Sequence, residues 1–68
     1  MQDTNTTASA AHKQAAKEHQ ACADHHSKAA ARHDSNKVDE AKASSESAMG
    51  CCNTATKSSV TACECSAQ

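Results

Sequence analysis

The chain contains no leucine, isoleucine, phenylalanine, tyrosine or tryptophan, and this absence limits its fold more than anything it does contain. Its 37% hydrophobic fraction is made of sixteen alanines, five cysteines, two methionines (Met1, Met49) and two valines (Val38, Val60). Ordering one backbone residue costs roughly 1–2 kcal/mol, while fully burying a Val or Leu side chain returns about 1.5–3 kcal/mol. Two valines do not offset the ordering of 68 residues. A chain this short ordinarily needs disulfides, a metal or a partner to hold a fold. The expectation is one small domain, marginally ordered without metal or partner.

What the sequence does favour is helix. Residues 9–49 lack Pro and Gly and are rich in Ala, Lys, Gln, Glu and Arg, all good helix formers. Ser9 is a suitable N-cap for a helix reaching about Arg32 or His33. The run Asp34-Ser35-Asn36 is a turn signal, so a break is expected near 34–36. A second, shorter helix follows from about Lys37 to Met49, with Val38, Ala41, Ser45, Ala48 and Met49 forming a thin apolar stripe. Gly50 is placed to end it as a C′ residue. Residues 1–8 read as a disordered polar arm, and 50–68 as a Cys-rich irregular tail. The fold class is all-α: a short antiparallel helical hairpin beside that tail.

Two features carry chemistry. His12, His19, His26 and His33 recur every seven residues, so on a helix the four rings share one face. Small pairs stand between them: Ala15-Ala16, Cys22-Ala23 and Ala29-Ala30. In heptad terms histidine takes one seam position and Ala or Cys the other, a seam where self-association or a helical partner is expected. Seven residues rise about 10.5 Å, too far for neighbouring heptad histidines to chelate one ion. Side chains three or four apart do meet, which makes Cys22 a hub with His19, His25 and His26. One thiolate and two imidazoles suit Zn²⁺ or copper, and imidazole also suits Ni²⁺. The bland alternative is a polar helix whose histidines are solvated surface. A fourfold register with a cysteine inside it favours ligation.

The second feature is Cys51-Cys52 and Cys63-Glu64-Cys65. Four thiolates in two close pairs are enough for a closed tetrahedral site. The spacing is not that of a zinc ribbon, which uses C-x₂-C. Cys-Cys and Cys-x-Cys are more typical of thiolate clusters, and in that respect the tail is similar to metallothioneins. The rival reading is two disulfides joining the doublet to Cys63 and Cys65, with Cys22 left free; this needs an oxidising compartment.

His12, Ala16, His19, Ala23, His26, Ala30 and His33 together give residues 11–33 a resemblance to small bacterial histidine-rich helical metal-binding proteins. The resemblance implies scavenging or buffering of Cu²⁺, Ni²⁺ or Zn²⁺ by a helical hairpin or bundle. Such proteins are generally exported and poor in cysteine, whereas this chain has five cysteines and is not expected to be exported.

Other classes are disfavoured. Seven Lys/Arg against eight Asp/Glu leave the chain near neutral, with no basic stripe for phosphates and no aromatics on which bases could stack. No apolar run is long enough to span a membrane. The N-terminal MQDTNTT lacks the apolar core of a secretory signal, so the cytoplasm is expected; the periplasm or secretion would follow if a signal peptide preceded this sequence. An enzyme is not expected, because nothing apolar is present to wall off a pocket around Cys22 and the adjacent His25 and His26. The leading expectation is a small metal-binding protein for storage, buffering or delivery of Zn²⁺, Cu⁺/Cu²⁺ or Ni²⁺. Its candidate ligands are His12, His19, Cys22, His25, His26, His33, Cys51, Cys52, Cys63 and Cys65, either as two loci, the helix and the tail, or folded onto each other around shared metal. The alternative is a non-enzymatic Ala-rich helical interaction or stress protein that orders on a partner, with its tail cysteines in disulfides.

Overall fold

A computed structural model describes residues 4–67 and shows two long antiparallel helices, α1 (Thr4–Asp34) and α2 (Val38–Ser66). They pack against each other along their whole length, giving a rod of 55 × 13 × 13 Å. The all-α hairpin is as expected, but the helices are 31 and 29 residues long rather than short.

The turn falls where Asp34-Ser35-Asn36 placed it. Asn36 adopts φ 61°, the left-handed conformation that Asn tolerates better than most residues. The Lys37 N–H donates to the Arg32 carbonyl at 2.8 Å and the Asn36 N–H to the His33 carbonyl at 3.0 Å. This is a Schellman closure with Asn at C′. Arg32 and His33 occupy the last turn of α1, and Asp39 and Glu40 the first turn of α2, each with the sign the helix dipole favours. Lys37 and Glu40 approach to 4.0 Å while both remain well exposed, a pair that adds little.

Two expectations at the chain's ends are overturned. Thr4–Ala8 belong to α1, so the disordered arm does not extend through residue 8; positions 1–3 lie outside the described residues. The tail expected to be irregular is also helical, since α2 runs on through Gly50 to Ser66. Gly50 does not take a positive φ and does not end the helix. A mid-helix glycine costs only about 1 kcal/mol relative to alanine, and packing outweighs that cost here.

That packing is a seven-residue register on both helices. The buried residues of α1 are Ala8, Ala15, Cys22 and Ala29; those of α2 are Ala41, Ala48, Ala55 and Ala62, together with Ser44. Each alanine buries little area, about 0.8 kcal/mol per methyl-sized group, but small side chains let the helix backbones lie close. The expected stripe of Val38, Ser45 and Met49 beside Ala41 and Ala48 is therefore shifted. Ser44 is buried where Ser45 is exposed, and Val38 and Met49 are 66% and 68% exposed. Close approach of two alanine seams leaves no room for the larger side chains, which point outward.

Candidate metal centre

On α2 the register reads Ala41-x-x-Ser44-Ser45, Ala48-x-x-Cys51-Cys52, Ala55-x-x-Ser58-Ser59 and Ala62-x-x-Cys65-Ser66. Each unit presents a buried alanine, then two small hydroxyl or thiol side chains one turn on. The first of the two points along the seam: Arg32 donates to the Ser44 hydroxyl, and the Ser58 hydroxyl donates to the Glu18 carboxylate. The second lies toward the histidines of α1. His12 Nε2 meets Ser66 Oγ at 2.8 Å, His19 Nε2 meets Ser59 Oγ at 2.7 Å, and His26 Nε2 meets Cys52 Sγ at 3.4 Å. Each step of seven up α1 is answered by a step of seven down α2, which sets His33 level with Ser45.

The four heptad histidines are consequently not seam residues. They are exposed and flank the seam, four positions after Ala8, Ala15, Cys22 and Ala29 respectively. His25 is the half-buried one, on the seam side of α1. Cys22 remains a hub, although its closest sulfur neighbours come from the other helix. It is 5% exposed, and Cys51 and Cys52 are near enough to perturb its thiol. Cys51 Sγ also donates to the Glu18 carbonyl at 3.6 Å. Three thiols and the His26 imidazole thus stand at about one level near the midpoint of the rod.

Burial pushes the Cys22 thiol up from 9.0 to about 12, helped by the nearness of the Cys51 and Cys52 thiols and by the repulsion their thiolates would exert. A dry alanine seam disfavours an isolated thiolate. All five cysteines are free thiols.

Cys63 and Cys65 stand apart from this cluster. They share a continuous helix with Cys51 and Cys52, 12 residues or more away in three of the four pairings, so about 16–21 Å separates the two pairs along the axis. The helix keeps the four tail cysteines from sharing one tetrahedral site, and it equally keeps Cys51 and Cys52 from disulfides with Cys63 and Cys65, which need Cα atoms within about 7 Å. Cys63 is exposed and Cys65 half-buried. His12 and His19 are joined to serines rather than to cysteines.

The sequence left open that the Cys22 helix and the tail cysteines share a metal, but it did not single out Cys51 and Cys52 as the pair that reaches Cys22. The signal that would have found it is the fourfold Ala-x-x-Ser/Cys-Ser/Cys unit, read in the same seven-residue register as the histidines. Among the described residues, no three or more His, Cys, Asp or Glu side chains surround a common point as they stand. Nor is any described helix long and apolar enough to cross a membrane. The chain matches no known protein family, no curated protein and no solved structure.

Proposed function

We propose that this is a small metal-binding protein that stores, buffers or delivers a transition ion, with Cys22, Cys51, Cys52 and His26 as its ligands. The supporting observation is their placement: residues 26 to 30 positions apart in sequence stand at one level of a seam whose buried positions are otherwise alanine and serine. Three sulfurs and one imidazole nitrogen suit Zn²⁺ in tetrahedral geometry, and the thiolates suit Cu⁺. Cu²⁺ and Ni²⁺ are better matched by the exposed histidines His12, His19 and His33 as weaker sites. Closing the four ligands on one ion takes reorientation of the cysteine side chains and, because Cys51 and Cys52 are adjacent on a helix, a local adjustment of α2; the binding energy then adds to the stability of the hairpin. We place the protein in a reducing compartment, the cytoplasm, where such thiols persist. No catalysis is assigned to it.

Titration of the reduced chain with Zn²⁺ or Cu⁺, followed by thiolate-to-metal charge-transfer absorbance or by competition with a chromophoric chelator, tests this. One tight equivalent is expected for the wild type and for a Cys63→Ser/Cys65→Ser variant. Cys22→Ala, which installs the residue found at the other α1 seam positions, is expected to weaken it at least tenfold. Because each ligating thiol must release its proton, affinity rises with pH across the neutral range. Equal affinity in the wild type and Cys22→Ala would overturn the assignment.

The interaction-protein reading retains one observation in its favour: Val38, Met49 and Val60, the only large apolar residues among those described, are all more than half exposed. Its disulfide component does not fit a continuous α2. Sedimentation at rising concentration separates the two readings, since the interaction reading expects a partner or self-association without metal.

A further inference from the structure

Cys22 is bracketed by the Cys51–Cys52 doublet in a way that bears on covalent chemistry as well as ligation. Cys51 Sγ sits on the carbonyl of Glu18, one turn before Cys22, and Cys52 Sγ meets the ring of His26, one turn after it. The doublet is therefore level with Cys22, on the facing helix. Ala15 and Ala29 flank Cys22 on α1, while Ala48 and Ala55 flank the doublet on α2, all buried. Small neighbours of this kind let two helix backbones lie close, as a disulfide requires with its Cα atoms about 4.4–6.8 Å apart.

Other pairings are closed off. Adjacent positions on a helix do not face each other, so Cys51 and Cys52 cannot bridge while α2 is intact. Cys63 and Cys65 lie about 16 Å or more along the axis. Within the doublet, Cys51 is held on the seam side by the Glu18 carbonyl, and Cys52 lies toward the exposed histidine face, where a reagent has access.

We propose that Cys22 and Cys52 form a reversible interhelical disulfide by exchange with a low-molecular-weight disulfide of the oxidised glutathione type, a modification that staples the hairpin at its midpoint. In the first step Cys52 sulfur, its proton lost to solvent, attacks one sulfur of the small disulfide. That S–S bond breaks, one small thiolate leaves and takes up a proton, and Cys52 carries the mixed disulfide. Cys22 sulfur then attacks Cys52 sulfur; the second small thiol departs with the proton Cys22 gives up. Two protein thiols are oxidised and one small disulfide is reduced to two thiols. The bond closes a loop of about thirty residues, which on the chain-entropy account raises the melting temperature by roughly 10–25 °C. It does not depend on the metal reading, although the two use the same thiols.

The test uses the full chain, reduced and metal-free, incubated with oxidised glutathione and digested with trypsin without reductant. Fragments 18–28 and 43–57 carry Cys22 and the doublet respectively. The expected product is the two fragments joined, two hydrogens lighter than the reduced pair, from protein that is monomeric before digestion. Cys51→Ser is expected to keep this product, whereas Cys52→Ser and Cys22→Ala lose it, with circular dichroism showing each variant still helical. The oxidised wild type is expected to melt higher than the reduced form. Glutathione adducts alone, cross-linked dimers alone, or a Cys52→Ser variant that bridges as readily as the wild type would overturn the proposal. Because no metal is present, any of these outcomes leaves the metal reading to its own titration.

Discussion

Cys22 is the only cysteine at a buried seam position otherwise filled by alanine, and its sulfur gives the rod a pH dependence the alanines cannot supply. The fold favours the neutral thiol, raising its pKa from 9.0 to about 12. A group whose folded pKa lies above its unfolded value contributes stability that is complete below the unfolded value and is lost as pH climbs toward the folded one. The hairpin is therefore expected to lose stability between about pH 9 and pH 12. Melting temperature followed by circular dichroism across that range checks this, with Cys22→Ala as the control whose alkaline loss is smaller. An identical alkaline profile in both proteins would mean that the thiol is not held protonated by the seam. The same proton bears on the proposed ligation, since a metal ion bound at Cys22 would have to displace it.

At the scale of the helix, Gly50 and Asn36 separate local preference from packing. Gly50 lies inside α2, and a Cβ built on it meets nothing within 4 Å. Gly50→Ala is expected to stabilise the hairpin by about 1 kcal/mol, a rise of roughly 4–8 °C in melting temperature; a fall would contradict a continuous α2. Asn36, at φ 61°, is expected to tolerate Gly and to lose about 1 kcal/mol on replacement by Ala. The turn was legible because Asp34-Ser35-Asn36 announces itself through local chemistry. The end of α2 was not, because glycine is a frequent helix stop and only the alanine at every seventh position from Ala41 to Ala62 says that the helix continues. The same blind spot hid half of the candidate site. His26 and Cys22 were visible from helical spacing within α1, but Cys51 and Cys52 join them only once α2 is straight and antiparallel, which its full seven-residue register signals and no shorter stretch does.

For the molecule as a whole, two alanine seams replace a hydrophobic core, and closeness of approach substitutes for buried area. Ala55 is fully buried, so Ala55→Leu is expected to force the helices apart and cost about 1–3 kcal/mol, whereas Val60→Ala, at a side chain more than half exposed, is expected to stay within about 0.5 kcal/mol. Chemical denaturation of the two variants measures both. A rod held so lightly gains most from anything that ties α1 to α2 at its centre, where the three thiols and His26 stand. X-ray absorption spectroscopy of the zinc-loaded full chain tests that claim most directly. Three sulfurs at about 2.3 Å and one nitrogen at about 2.0–2.1 Å are expected, with a sulfur lost in Cys22→Ala. A shell of four sulfurs, or one of nitrogen and oxygen alone, would contradict it.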